Sequence, residues 1–159
     1  MRLKGKVAIV TGAGSGIGEA TAVKFAREGA SVAVCDINVA ACEKVVRSIA
    51  DAGGSAMAVP LDVTDKASVA AMVASVMQAW GRVDTLVNNA GIVQDAQLKK
   101  MTDEQFDRVI DVNLKGVYHC TKAVVDIMLE QGTGCILNAS SIVGLYGNFG
   151  QTNYAATKF

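Results

Sequence analysis

The sequence holds a single proline, a single histidine and a single tryptophan, and aromatic residues fill only 5% of its 159 positions. Neither charge is in excess: 15 Lys+Arg balance 15 Asp+Glu, and charged residues reach only 19%. Nucleic acid and anionic membranes are held by clustered positive charge, so a chain without a Lys/Arg run is expected to bind neither. No stretch approaches the roughly 18 apolar residues that a spanning helix needs. The basic start, Met1-Arg2-Leu3-Lys4-Gly5-Lys6, has the look of a signal peptide, but the apolar run behind it, Val7 to Val10, is too short and enters a glycine cluster. Cys35, Cys42, Cys120 and Cys135 form no C-x-x-C pair, and His119 alone completes no zinc set. The expectation is reduced, buried thiols, no metal site and a cytoplasmic location. Hydrophobic residues make up 51% of the chain, with a mean hydropathy of +0.32. With so little proline this excludes a disordered chain, and the length fits one domain.

What is present is an alternation of short β-branched runs with longer helical patterns. Val7–Thr11, Ser31–Asp36, Ala56–Leu61, Thr85–Asn89 and Cys135–Ala139 read as strands with little polar alternation, the pattern of a parallel sheet covered on both faces. Ile17–Glu28, Val39–Ala52 and Asp65–Trp80 read as helices. In the last of these Val69, Met72, Val73, Val76, Met77 and Trp80 make one apolar stripe. Thr64 or Asp65 is placed to cap it, and Gly29, Gly53-Gly54, Gly81 and Gly132 fall just past helical patterns, where a left-handed residue is wanted. Thr102–Gln131 reads as one long helix whose apolar face carries Phe106, Val109, Ile110, Leu114 and Val117, with Asn113 on that face as a bracket or part of a site. The reading is βαβαβαβαβ, an α/β, Rossmann-type doubly wound parallel sheet in three layers, occupying 1–159 as one dinucleotide-binding domain. After the fifth strand, Ser140–Gly150 reads as a loop, with Thr152 or Asn153 capping a helix that stops at Phe159. The domain is therefore expected to be incomplete at its C-terminus, with the fifth strand as an apolar sheet edge.

Strand one runs into Thr11-Gly12-Ala13-Gly14-Ser15-Gly16-Ile17-Gly18 and then into a helix. Glycines there let the backbone turn tightly against a pyrophosphate, which the free N–H groups and the positive end of the helix dipole stabilise. The run departs from G-x-G-x-x-G, because Ile17 stands at the third glycine position. Asp36 ends the next strand. A carboxylate there accepts hydrogen bonds from ribose hydroxyls and repels a 2′-phosphate, and neither Ser15 nor Ile37 supplies a compensating positive charge, so NAD is expected over NADP. Tyr154 and Lys158, four residues apart, share a helix face, where a cation favours proton transfer by a phenol; such a pair is also common on solvated helices. Ser140 and Ser141 follow the fifth strand, where ligands of these sheets bind, and either can simply cap a turn.

Taken together, these residues resemble the short-chain dehydrogenase/reductase family in its common form. Thr11-Gly12-x-x-x-Gly16-Ile17-Gly18 is similar to that family's own glycine motif, Asn88-Asn89-Ala90-Gly91 to its signature after strand four, and Asp62-Val63 to its adenine-contacting pair. The resemblance runs from Leu3 to Phe159. It implies a catalytic set of Asn113, Ser141, Tyr154 and Lys158, with Ser141 preferred over Ser140 because the family places its serine thirteen residues before the tyrosine. It further implies cofactor contacts from Gly12, Ser15, Gly16, Ile17, Gly18, Asp36, Ile37, Asp62, Val63, Asn89, Ala90 and Gly91, together with Tyr154 and Lys158. Family members continue through two more strands and a substrate-covering lid, and they form homo-oligomers, dimers or tetramers. Here the outer face with Tyr118, Val125 and Met128 resembles the dimer-forming region.

The implied reaction interconverts a carbonyl and a secondary alcohol. Tyr154 serves as general acid/base, Ser141 binds the substrate oxygen, Lys158 binds the nicotinamide ribose, and Asn113 holds a water. Asn88 to Ile92 with Gln94-Asp95, Lys100-Met101-Thr102 and Val112 to Gly116 look most like the bacterial 3-oxoacyl-acyl-carrier-protein reductases of fatty acid biosynthesis. Those enzymes usually take NADPH, which Asp36 opposes. NAD-linked sugar, polyol or hydroxyacid dehydrogenases, and a non-catalytic NAD-binding fragment, therefore stay open. Trp80 is expected to cap the core and His119 to be a satisfied helix histidine.

Overall fold

In a computed structural model that describes residues 1–159, five parallel strands lie in the order β3-β2-β1-β4-β5. They are β1 (Val7–Thr11), β2 (Ser31–Asp36), β3 (Ser55–Pro60), β4 (Thr85–Asn88) and β5 (Cys135–Asn138). In register, Ile9 pairs with Ala33 on one side and Leu86 on the other. Helices α1 (Gly16–Arg27), α2 (Val39–Asp51) and α3 (Lys66–Trp80) link the first four strands. The order reverses at β1, so the crevice between the ends of β1 and β4 is where such sheets take ligands.

Alternate strand residues feed two cores. Ile9, Ala33 and Cys35 pack with Val69, Met72 and Val76 of α3. Val10, Val32 and Val34 pack with Ala22, Cys42 and Ile49 of α1 and α2. Ile9 is fully buried, and its truncation to alanine costs about 2–5 kcal/mol. Asp65 caps α3, its carboxylate accepting from the Ala67 N–H, and Gly81 ends it in the left-handed region at φ 70°. The expected α3 stripe holds, with Trp80 packed against the core. At the opposite end of the sheet Asp84 clamps β1 to β4. Its carboxylate accepts from the Val7 N–H at 3.0 Å, from Lys6 Nζ at 3.0 Å and from Arg82 Nε and Nη2 at 2.7 and 2.6 Å.

The long helix departs from its expected form. It divides into α4 (Asp103–Ile110), a π turn (Asp111–Lys115) and α5 (Gly116–Gln131). The wide turn moves the buried line to Val109, Asn113, Gly116, Cys120, Val124 and Met128. Phe106 and Leu114, expected inside, are 37% and 49% exposed, whereas Met128, expected on the outer face, is buried. Tyr118 is outward as expected. His119 Nδ1 lies 3.0 Å from the Val63 carbonyl, the satisfied role expected of it.

After β5 the expected loop contains a short helix, α6 (Ile142–Tyr146), before α7 (Thr152–Lys158). Neither Thr152 nor Asn153 caps α7; Gln151 holds that place, without a side-chain cap bond. Three thiols are buried as expected, but Cys135 is exposed, because β5 is an edge strand with Leu137 also open to solvent. Burial pushes the Cys42 thiol up to about 11 and Cys120 to about 12.

Candidate functional site

The turn after β1 is tied to the end of β4. Thr11 Oγ1 donates to the Val87 carbonyl and accepts the N–H groups of Asn89 and Ala90 at 3.1 and 3.0 Å. Asn89 Nδ2 in turn donates to the carbonyls of Thr11 and Gly12 at 3.0 and 3.1 Å. This packing explains the glycines. A Cβ on Gly12 would lie 2.8 Å from Ala90 Cα, and one on Gly18 would strike the Gly12 carbonyl oxygen. Gly16 differs: its φ is +58° and a Cβ would meet nothing within 4 Å, so the N-terminus of α1 opens onto free space. The Ser15 hydroxyl makes no cap bond there, and Ile17 is 79% exposed. A tight, side-chain-free cradle at the positive end of a helix fits the diphosphate of a dinucleotide.

Beside this cradle lies a cleft of about 640 Å³. It brings together Gly12, Asp36, Ile37, Asp62, Val63, Ala90 and Gly91 of the expected cofactor set. Asp36 is held in place by backbone. Its Oδ2 accepts from the Gly14 N–H at 3.1 Å and its Oδ1 from the Asn38 N–H at 3.0 Å. The Thr64 hydroxyl and N–H bind Asp62 and lower its pKa, with a smaller pull from Arg108. Sequence reasoning missed the far wall, where α4 and the π turn contribute Glu104, Asp107, Arg108, Asp111 and Val112. The only signal for it was the acidic first turn of α4. Arg108 is the sole cation lining this cleft, facing five carboxylates. Ser15, Gly16, Ile17 and Gly18 sit at the α1 terminus outside its walls, and Asn89 turns its amide into the glycine turn.

Asn113, Ser141, Tyr154 and Lys158 also lie outside the cleft walls. Lys158 Nζ is 5.7 Å from the centre of the Tyr154 ring and donates to the Ala139 carbonyl at 2.8 Å. Partial burial of that ammonium lowers its pKa. Ser141 Oγ accepts from the Val143 N–H at 3.2 Å, capping α6, while Ser140 Oγ donates to the Lys158 carbonyl at 3.4 Å. Asn113 is 2% exposed. It pairs with Ile92 through both backbone groups, at 2.8 and 2.9 Å, and donates to Thr157 Oγ1 at 3.3 Å. Thr11, Asn153 and Thr157 were not anticipated. The i,i+4 spacing of Asn153 and Thr157, one residue behind Tyr154 and Lys158, was the available sign of the last two.

The short chain dehydrogenase family model matches residues 6–159. The chain is 50% identical over 158 residues to the 3-oxoacyl-acyl-carrier-protein reductase FabG of Thermotoga maritima, which covers 99% of this chain and 64% of that protein. A Staphylococcus aureus protein of the same name is 45% identical, covering 96% of this chain and 63% of that one. The crystal structure of a short chain dehydrogenase from Mycobacterium avium superposes with a TM-score of 0.95 at 40% identity, over 99% of this chain and 60% of that one. The chain thus spans less than two thirds of the length of each of these relatives. With the glycine turn, the Asn88–Gly91 segment and the Tyr154–Lys158 helix each following a strand of one parallel sheet, and with a family match from residue 6 to residue 159, the chain belongs to the short chain dehydrogenase family.

Proposed function

We propose that the protein is an NAD(H)-dependent oxidoreductase that interconverts a carbonyl and a secondary alcohol, acting on 3-oxoacyl thioesters in the manner of the reductases it resembles. The observation that carries this reading is the Tyr154–Lys158 pair, with Lys158 Nζ 5.7 Å from the phenol ring, at the carboxyl end of a sheet whose first turn is a phosphate cradle. The glycine turn and the N-terminus of α1 would hold the diphosphate, Asp36 the adenosine ribose, Asp62 and Val63 the adenine, and Asn89 the geometry of the turn. A bound nicotinamide supplies or accepts the hydride.

The remaining work falls to side chains of this chain. Tyr154 delivers the phenolic proton to the substrate oxygen, or takes it in the reverse direction. Ser141 turns its hydroxyl from the Val143 N–H toward that oxygen and shares the developing charge. Lys158 favours the deprotonated phenol and binds ribose hydroxyls, exchanging its bond to the Ala139 carbonyl. Asn113 keeps a lone pair on Oδ1 beyond the one used by Ile92, enough for one water. No helix is long and apolar enough to cross a membrane. The exposed Leu114, Tyr118 and Leu129 support homo-oligomer formation.

Asp36, which disfavours a 2′-phosphate, supports a second reading as an NAD-linked sugar, polyol or hydroxyacid dehydrogenase. The separation of the cleft from Ser141, Tyr154 and Lys158 supports a third, a cofactor-binding piece without turnover. The purified protein, given NADH or NADPH, should reduce an acetoacetyl thioester faster than free sugars. The reverse order would select the second reading, and cofactor binding without turnover the third.

A further inference from the structure

Helix α7 carries two pairs of residues at i,i+4 spacing, and only one pair has been assigned chemistry. Tyr154 and Lys158 form the reactive face. Asn153 and Thr157 lie one residue behind, about 100° around the helix. Asn153 is completely buried, although it sits at the start of a seven-residue helix. Its Nδ2 donates to the Gln94 carbonyl at 3.0 Å and to the Gln105 carbonyl at 3.2 Å. Its Oδ1 accepts the N–H of Tyr154 at 2.8 Å. Thr157 Oγ1 donates to the Tyr154 carbonyl at 2.8 Å and accepts from Asn113 at 3.3 Å. The peptide groups on both sides of Tyr154 Cα are therefore held by these two side chains. Gln105, which supplies one carbonyl, is also the residue whose side chain completes the capping box of α4 with Thr102.

A short helix of this kind has little stability of its own. Its height and rotation are set by whatever grips it, and here the grip is polar and buried. Such groups are costly to leave unpaired, which makes the arrangement close to all-or-none. We propose that Asn153 is a positioning residue: by bridging Gln94, Gln105 and the Tyr154 N–H, it fixes the rotation of α7, with Thr157 securing the next turn. Asn153 thereby links the loop after β4 and the wall of the cofactor cleft to the placement of the phenol. The inference rests on the roles given to Tyr154 and Lys158 above.

The test compares wild type with Asn153→Ala, Thr157→Val and Thr157→Ser, measuring kcat, KM, NADH affinity by calorimetry and amide hydrogen exchange. Removal of Asn153 is expected to lower kcat roughly 10- to 100-fold, the scale of a misplacement near 1 Å. NADH affinity should fall less, by about fivefold at most, because Lys158 shifts with α7 while the glycine turn and Asp36 keep their own bonds. Exchange at residues 154–158 should quicken about fivefold or more, while β1 and β4 keep their protection. Thr157→Val, similar in shape, should lose kcat in the same way, and Thr157→Ser, which retains the hydroxyl, should restore most of it. If Asn153→Ala fails to fold, the Thr157 pair decides alone. Unchanged kcat in Asn153→Ala or Thr157→Val, or equal losses in the valine and serine variants, would overturn the proposal. So would loss of kcat only in proportion to loss of folded protein. Absence of wild-type turnover with either cofactor would fail the underlying reading instead, a result recognisable because exchange in α7 would still respond to Asn153→Ala.

Discussion

Replacing Asp36 by asparagine removes one charge from the cleft while keeping the size of the side chain, and its effects on two cofactors separate two roles. The carboxylate holds the Gly14 N–H at 3.1 Å and the Asn38 N–H at 3.0 Å. Each oxygen has a second lone pair free for a ribose hydroxyl. The brace on Gly14 shapes the glycine turn, so weakening it should reduce affinity for NADH and NADPH equally. The charge acts on the extra phosphate alone. Two unit charges about 4 Å apart interact by about 1 kcal/mol in water and about 4 kcal/mol at an effective dielectric of 20. Asp36 is half-buried, which places the repulsion in the lower part of that range, about 1–2 kcal/mol. The ratio of NADPH to NADH affinity should accordingly rise about 5- to 30-fold. Calorimetric titration of both cofactors at one salt concentration measures it, and raising the salt should shrink the difference. If both affinities fall while their ratio stays within twofold, Asp36 is only a brace and the preference for NAD loses its basis.

Tyr154→Phe should lower kcat at least 100-fold while leaving the calorimetric affinity for NADH within about twofold; retained turnover would remove Tyr154 from the acid/base role. Gly18→Ala places a methyl group against the Gly12 carbonyl oxygen, so thermal melts should show a loss of about 1–3 kcal/mol, with weaker cofactor binding; an unchanged melt would mean that the turn yields easily. Burial alone would raise the Asp84 pKa, but Arg82, the Val7 N–H and Lys6 bring it down to about 2. That group contributes stability above its unfolded pKa near 4 and loses it as the pH falls toward 2. With Arg82 and Lys6 40% and 44% exposed, the contribution is about 1–2 kcal/mol, and Asp84→Asn should flatten that part of the stability curve; equal acid slopes in urea titrations would refute the clamp.

The sheet and its first three helices were legible because each signal was local. Val7 to Val10 and Val32 to Cys35 are unbroken apolar runs, and Gly29, Gly53, Gly81 and Gly132 do take positive φ at helix ends. The cradle was legible for the same reason, since Gly12 to Gly18 form one contiguous turn. What escaped depends on residues far apart in the chain. No periodicity reveals that Asn153 reaches Gln94 and Gln105, or that Glu104 and Arg108 wall the cleft, because these follow from how α4 lies across the sheet ends. Cys135 was misjudged because the four thiols were read together from their spacing, although its own strand was expected at the sheet edge, where a side chain meets solvent. The expected stripe on the long helix failed at the π turn, where one backbone irregularity overrides the 3.6-residue period.

That π turn makes residue number, more than residue identity, the quantity under constraint between 111 and 115. Each residue of a regular helix advances the chain by about 100°, and the number of residues through this segment decides how Asn113 is turned between Val109 and the buried Gly116, Cys120 and Val124. Leu114 is half exposed, so trimming its side chain leaves the fold of the single chain intact. Deleting it would close the wide turn to a regular one, which keeps α5 in phase with α4 and Gly116 against Val63 but rotates Asn113, inside the turn, away from Ile92. The segment behaves as a spacer of fixed count, tolerant of exchange at its outward position and intolerant of a frame-preserving loss of one codon.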